Sequence, residues 1–209
     1  MSKNCSIIHQ WFNRMEKYSF PFDKQEIPYN GIYILFEKRE FAHSTNRIVR
    51  IGTHTGDKQL CSRLDQHFVN ENKDRSIFRK NIGRALLSKN EDPFLKQWEI
   101  NSTTKNAKKY YSHSIDFIKQ KKVEEMVTKY IQNNFSFVVF QVDDKEKRLK
   151  LESNLISTIS LCDECEPSQN WLGLYSPKEK IRKSGLWLVN ELWKTPLSDN
   201  DMIELQRMF

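Results

Sequence analysis

Two short apolar stretches decide the fold: residues 30–36, which are NGIYILF, and residues 47–52, which are RIVRIG. Both are rich in β-branched and aromatic residues, a composition that favours β-strands. A polar segment joins them, so the simplest pairing is an antiparallel hairpin with a long tip. In the first strand Tyr33 points away from Ile32 and Ile34, and the second strand places Arg50 on the same side as Tyr33.

Helical patterns surround this hairpin. Apolar residues recur at helical spacing in residues 6–18, with Ser6 as N-cap, and in residues 60–68, 77–87, 93–98, 115–132 and 145–161. Short helices are also expected near Ile181 and Met202, and the run FVVF predicts a strand at residues 136–142. The sequence therefore predicts an α+β fold, a small, mostly antiparallel sheet of about three strands surrounded by helices.

The length of 209 residues suits one domain. We expect a core at residues 30–170 that contains a helical insertion at about residues 70–134. Residues 1–29 and 171–209 are expected to form helical extensions at either end.

Charge and hydropathy narrow the class of protein. Lys and Arg number 34 against 27 Asp and Glu, a net charge of +7 that favours a polyanionic partner. No apolar run approaches the ~18 residues that span a bilayer, and the polar start lacks the apolar stretch of a signal peptide. We expect a soluble, cytoplasmic protein with no membrane partner.

The four cysteines are too few for a disulfide framework. Cys162 and Cys165 form the only close pair, and a zinc site would need two more ligands at suitable spacing. Cys5 and Cys61 are isolated in the sequence. We therefore expect reduced thiols without a structural metal.

Two pieces of local chemistry stand out. Glu152 lies on the core-facing stripe of its predicted helix, where a carboxylate must be paired, neutralised or bound to a cation. An ion pair with a nearby Lys or Arg explains it equally well.

Arg63 and His67 are four residues apart and reach the same patch of space, where a guanidinium suits phosphate and an imidazole moves a proton. A solvated helix face is the commoner reason for that spacing.

Taken in order, these residues resemble the GIY-YIG nuclease superfamily. The first motif is Gly31-Ile32-Tyr33, and Arg50-Ile51-Gly52 takes the place of the second. Residues 60–67, LCSRLDQH, match the family's Leu, Arg, Leu and His, and Glu152 and Asn170 follow. The resemblance covers about residues 31–170.

The resemblance implies metal-dependent hydrolysis of a phosphodiester bond. Glu152 would hold one divalent cation, Mg²⁺ (or Mn²⁺), and Arg63 would clamp the scissile phosphate. Tyr33 would be the general base toward the attacking water, and His67 would orient or relay the proton. The alternative is that the metal activates the water and Tyr33 only orients it.

One position departs from the family's pattern, because Arg50 stands where the second motif usually has tyrosine. The loop that follows, residues 53–57, is also longer than usual. Arg50 could contact phosphate or favour the phenolate form of Tyr33. Asn170 would help to hold the site together.

Further basic residues are expected to contact nucleic acid: Arg79, Lys80, Arg84, Lys108 and Lys109. The compact organisation suggests a restriction-type or phage-defence endonuclease that acts on double-stranded DNA and forms a homodimer. Two other interpretations stay open. One is a non-catalytic nucleic-acid-binding protein on a nuclease fold, and the other is a nuclease for RNA or branched DNA.

Overall fold

The computed structural model describes residues 2–111 and 113–208 of the chain. Within those residues, three strands follow the first helix, five helices come next, and a last strand precedes the C-terminal helices, with short 3-10 helices at Lys24–Glu26 and Leu172–Tyr175. The elements are α1 (Ser2–Arg14), β1 (Tyr18–Ser19), β2 (Gly31–Ala42), β3 (Thr45–Gly52), α2 (Leu60–Phe68), α3 (Ile77–Lys89), α4 (Leu95–Trp98), α5 (Lys105–Tyr111), α6 (Phe117–Asn134), β4 (Phe135–Gln141), α7 (Lys145–Ser160), α8 (Glu179–Ser184) and α9 (Asp199–Gln206).

The strands form one antiparallel sheet in the order β1-β4-β2-β3. The α+β prediction is confirmed, with four strands where about three were expected. The additional strand, β1, has only two residues, too few for a period-2 pattern to be recognisable in the sequence.

The tip of the β2–β3 hairpin differs from the prediction. His43 and Ser44 alone connect the strands, both with positive φ, 50° and 59°, as in a type I′ turn. The charged residues assigned to a polar tip belong to β2, because their carboxylates find partners inside the protein. Glu37 accepts hydrogen bonds from the indole N–H groups of two tryptophans at 2.8 Å, and Glu40 accepts from a buried arginine at 2.6 Å.

Helices cover both faces of the sheet. Residues Ile32 and Ile34 face a layer formed by α1, α7 and α9. Tyr33 and Leu35 face the second layer, formed by α2, α3, α4 and α6. Because successive side chains of a strand alternate between faces, Tyr33 points into the second layer as predicted.

The termini complete this arrangement. Helix α1 begins earlier than predicted, so Ser6 lies inside the helix and is not its N-cap. Near the other end of the chain, the backbone N–H of Trp187 donates to the carbonyl of Val49 at 2.8 Å. The C-terminal segment therefore covers the outer edge of β3, where unpaired strand groups would otherwise be exposed.

Candidate active site

The predicted site lies at one end of the sheet, where β2 begins and β3 ends. Tyr33 and Gly52 are directly opposite each other in the two strands. A Cβ atom at position 52 would overlap the Tyr33 hydroxyl, so only glycine leaves room for the tyrosine ring. The close approach of the Tyr33 ring thus explains why the second motif needs glycine at position 52.

A line of hydrogen bonds runs inward from Tyr33. Its Oη lies 2.8 Å from Nε2 of His67, and Nδ1 of His67 lies 2.7 Å from Oγ of Ser76. Ser76 is also the N-cap of α3, where its Oγ accepts from the backbone N–H of Arg79 at 3.2 Å. All three side chains of this Tyr33–His67–Ser76 line are buried.

His67 is held in its neutral form. Burial lowers its pKa well below the usual value, and the charges of Arg50, Arg63 and Arg79 lower it further. A neutral imidazole has one donor and one acceptor nitrogen, which suits a ring placed between two hydroxyl groups. With its Nδ1–H directed at Ser76, the neutral ring can accept a proton from Tyr33 at Nε2, and it becomes a cation when it does so.

Arg50 occupies the position of the missing second-motif tyrosine. Its Nε lies 3.4 Å from Oη of Tyr33, and its Nη1 donates to the carbonyl of Trp187 at 2.5 Å. Its guanidinium group lies over the ring of Phe78, 5.2 Å from the centroid. The sequence-based prediction that Arg50 and Tyr33 share one face is confirmed.

Arg63 stands at the mouth of the site. It lines a cleft of about 320 Å³ together with Thr53, His54, Thr55, Gln59, Ser62 and Gln66. Its Nη1 donates to the side chain of Gln66 at 2.9 Å and to the carbonyl of Arg75 at 3.1 Å. The guanidinium is half-buried, so it can reach a ligand in the cleft.

Glu152 reaches the same place from α7. Its Oε1 accepts a hydrogen bond from the backbone N–H of Thr53, a residue of the cleft, at 3.0 Å. Burial raises the pKa of Glu152, and Arg50 and Arg63 are close enough to oppose that rise. Within the described residues Glu152 forms no ion pair, so the alternative explanation of a structural salt bridge is not what the structure shows.

Asn170 is not brought to this group. It is exposed and lines a different pocket with Arg39 and Glu40, toward the far end of β2. Its position argues against the predicted role of holding the site together.

The three basic residues of α3 that were predicted to contact nucleic acid do not form an exposed face. Each is nearly or fully buried and paired with a carboxylate: Arg79 with Glu124 at 2.8 Å, Lys80 with Asp74 at 3.2 Å, and Arg84 with Glu99 at 2.5 Å. These charges stabilise packing of α3 against its neighbours and are not available to track a nucleic acid backbone.

In the insertion, Lys109 is exposed on α5, and the side chain of Lys108 lies outside the described residues. Contact of these two residues with nucleic acid stays a prediction.

Sequence reasoning missed four contributors. Ser76 had a readable signal, because a serine directly before a predicted helix is a common N-cap. Thr53 and Trp187 had none, since each acts through its backbone. Glu191, which adds to the raised pKa of Glu152, comes from the C-terminal segment 39 residues further along the chain.

The fold and the site together define a class of protein. Two arginines without carboxylate partners, beside a carboxylate and a tyrosine–histidine pair, suit the hydrolysis of a phosphate ester. The family model of the GIY-YIG domain matches residues 7–207, so the chain belongs to the GIY-YIG nuclease superfamily. Nucleases of this kind are generally metal-dependent.

Other comparisons add little. No match was found among curated proteins or among solved structures. In the described part of the chain, none of the helices has the length and apolar character needed to cross a membrane.

Proposed function

We propose that this protein is a metal-dependent endonuclease that hydrolyses phosphodiester bonds in DNA. The observation that carries the proposal is the 2.8 Å contact between Tyr33 and His67, placed beside Arg50, Arg63 and Glu152 at one end of the sheet. Residues distant in sequence meet there in an arrangement that suits phosphate chemistry.

Phosphate binding falls to Arg63. It lines the open cleft, and it donates hydrogen bonds to the uncharged oxygens of Gln66 and Arg75. A phosphate can therefore take a charge-assisted hydrogen bond from it without breaking an ion pair. Arg50, deeper in the site, adds positive charge next to the reacting tyrosine.

The Tyr33–His67–Ser76 line supplies a path for a proton. Tyr33 accepts a proton from the attacking water as its own hydroxyl proton passes to Nε2 of His67, whose Nδ1–H faces the Ser76 oxygen. The arginines that depress the pKa of His67 include Arg63, which would bind the phosphate, and its neighbour Arg50. A bound phosphate offsets their charge, so substrate makes His67 a better proton acceptor.

Glu152 fits the metal that the family implies. A carboxylate has more lone pairs than its one hydrogen bond to Thr53 uses. Mg²⁺ is commonly held by one or two carboxylates, with water and phosphate oxygens in its other positions. Mg²⁺ (or Mn²⁺) bound by Glu152 would stabilise the negative charge that develops on the phosphate and the leaving oxygen.

The direct test is a substrate panel. The purified chain is incubated with supercoiled plasmid, linear duplex, single-stranded DNA, a DNA four-way junction and RNA, in Mg²⁺, in Mn²⁺ or with chelator. We expect plasmid and linear duplex to be cut with either metal and left intact with chelator. Cleavage confined to RNA or to the junction would contradict the duplex DNA substrate.

A second candidate is a non-catalytic nucleic-acid-binding protein, favoured by Arg50 in the second motif. The guanidinium of Arg50 is tied to the C-terminal segment through the carbonyl of Trp187, so it has a structural use that needs no reaction. This candidate predicts duplex binding in a mobility-shift assay and no cleavage of any substrate with either metal.

We propose in addition a restriction-type or phage-defence role, with a homodimer that cuts both strands. That role predicts breaks at a defined sequence, which sequencing of the cleaved ends of a mixed-sequence duplex would detect. Light scattering measures the oligomeric state. Breaks without sequence preference would contradict the restriction-type role and leave the endonuclease proposal standing.

A further inference from the structure

A second cluster of reactive side chains lies at the hairpin tip, the end of β2 opposite the nuclease site. Cys5, His9, His43 and Cys165 each place one ligand atom within 4.8 Å of the other three. They come from α1, from the β2–β3 turn and from the segment after α7. The description of Cys5 as isolated therefore holds for the sequence and not for the fold.

The distances in this cluster suit a tetrahedral metal. The Sγ atoms of Cys5 and Cys165 are 3.3 Å apart, and Nε2 of His43 lies 3.2 Å from Sγ of Cys165 and 3.5 Å from Sγ of Cys162. Zn–S bonds of about 2.3 Å and Zn–N bonds of about 2.0–2.1 Å put adjacent ligand atoms roughly 3.3–3.8 Å apart. The sulfurs are too far apart for a disulfide, and all of the cysteines are free.

Five side chains are candidates for the four ligand positions of a tetrahedral metal. Their hydrogen bonds show which four are suited to bind it. Nδ1 of His9 lies 2.9 Å from the carbonyl of Cys5, and its Nε2 accepts from the backbone N–H of Ile48 at 3.1 Å. A neutral imidazole has one N–H and one lone pair, so both nitrogens of His9 are already committed to the backbone. His9 is therefore suited to orient the cluster and not to bind a metal.

Cys162, in contrast to His9, is suited to bind a metal. It stands two residues before Cys165 in a C-x₂-C pair, the spacing common in structural zinc sites. Its sulfur accepts a hydrogen bond from the backbone N–H of Glu164, inside the same turn. The sulfur is still able to bind a metal, and Nε2 of His43 lies 3.5 Å from it.

We propose that Cys5, His43, Cys162 and Cys165 bind one structural Zn²⁺. Three thiolates and one imidazole are a common ligand set for such a site. Nδ1 of His43 lies 3.4 Å from a carboxylate oxygen of Glu164, an outer partner that directs Nε2 toward the metal. The site joins the N-terminal helix, the hairpin tip and the C-terminal segment.

Two further features agree with the proposal. One of them is that His43 has a positive φ of 50° in a two-residue turn, a conformation in which glycine and asparagine are more usual. The other is that its Nε2 lies within 3.5 Å of the sulfurs of both Cys162 and Cys165. A ligand role gives a reason for histidine at that position.

The first test measures metal in the wild-type chain. Protein produced with zinc in the medium should contain one Zn²⁺ per chain by elemental analysis and native mass spectrometry. Replacement of the metal by Co²⁺ should produce the visible bands of a tetrahedral site with sulfur ligands. Absence of zinc together with absence of those bands would overturn the proposal.

Variants then identify the ligands. Cys5→Ser, His43→Asn, Cys162→Ser and Cys165→Ser should each lose most of the zinc, while Cys61→Ser is the matched control and should keep the full content. His9→Gln should also keep it. Retention of zinc in Cys162→Ser with loss in His9→Gln would overturn the ligand set proposed here.

The structural consequence is measured separately from cleavage. Removing zinc with a chelator, then washing the chelator away, should lower the Tm of the wild-type chain by about 5 °C or more. The same treatment should leave the Tm of Cys165→Ser unchanged. An equal shift in both proteins would contradict a structural metal at this site.

Discussion

Basic side chains serve two different purposes in this molecule, and helix α3 and the active site show the difference. On α3, Arg79 and Arg84 are bound to carboxylates at 2.8 and 2.5 Å. In the active site, Arg50 and Arg63 donate to uncharged oxygens, and neither forms an ion pair within the described residues. Both groups face the same side of the sheet.

The partners decide what each charge can do. A buried guanidinium bound to a carboxylate is neutralised locally, so it contributes to the packing of the fold and not to ligand binding. A guanidinium that donates only to neutral groups keeps a positive field, and beside an open cleft that field attracts an anion. Positive charge in the sequence therefore indicates a binding surface only after its internal carboxylates are known.

The strongest test of this contrast removes the one carboxylate beside the unpaired arginines. Glu152→Gln should reduce cleavage by roughly 1000-fold or more, because the proposed metal loses its anionic ligand while the side chain keeps its shape. Cleavage rate and Tm are both measured, and Tm should change little. Glu146→Gln, an exposed carboxylate on the same helix, is the control and should cut normally. Full activity of Glu152→Gln would remove the metal assignment.

The ion-paired arginines of α3 are tested by measuring protein stability. Arg79→Met should lower the free energy of unfolding by about 3–5 kcal/mol, because it leaves Glu124 buried and unpaired. Urea denaturation measures it. The double variant Arg79→Met/Glu124→Leu should recover much of the loss, since no charge is then left uncompensated. A stable Arg79→Met protein with reduced DNA affinity would reverse our assignment of Arg79.

Arg63→Ala should behave in the opposite way. We expect kcat to fall by about 100-fold, with a smaller loss of affinity and little change in stability, because one guanidinium at the reacting phosphate is removed. Arg14→Ala, an exposed arginine of α1, is the control. If affinity collapsed while kcat at saturating DNA stayed the same, Arg63 would position the duplex without acting on the scissile phosphate.

Tyr33→Phe removes the hydroxyl that begins the proposed proton path. We expect cleavage to fall by about 100-fold, the lower end of the range typical of a lost general base. Tyr110→Phe, at an exposed tyrosine, should have no effect. A loss of less than about threefold, in Mg²⁺ and in Mn²⁺ alike, would favour the alternative that Tyr33 only orients the water.

The smallest expected effect concerns the pH dependence of stability. Tyr33, Arg50 and Arg79 face His67 from β2, β3 and α3, and Arg63 lies on its own helix. The folded pKa of His67 lies below its unfolded value, so its contribution is present above the unfolded pKa and is lost as pH falls. Between roughly pH 7 and pH 5.5 we expect a loss of about 1 kcal/mol.

Urea denaturation at a series of pH values checks this sign. His67→Gln should flatten the acid side of the stability curve, whereas His113→Gln, at an exposed histidine, should not. An unchanged slope in His67→Gln would mean that the pKa of His67 is not lowered in the folded protein.

The sequence predicted the parts of the fold that local pattern controls. Residues 31–36 and 47–52 lie in β2 and β3, residues 60–68 coincide with α2, and the helix predicted over residues 145–161 matches α7 to within one residue. Periodicity and β-branching act over a few neighbours, so these elements are readable without the rest of the chain. The hairpin tip could not be predicted in this way, because the partners that bury Glu37 and Glu40 include residues from distant segments of the chain.

The same division applies to the sites. By itself the sequence determined the α+β class, membership of the nuclease superfamily, and the candidates Tyr33, Arg63, His67 and Glu152, since motif order and residue chemistry are local information. Only the tertiary structure decided that Asn170 lies elsewhere, that the arginines of α3 are paired, and that Cys5 meets Cys165. Pairing and burial depend on contacts between residues far apart in the chain, 160 positions in the case of the two cysteines, and no local pattern carries that distance.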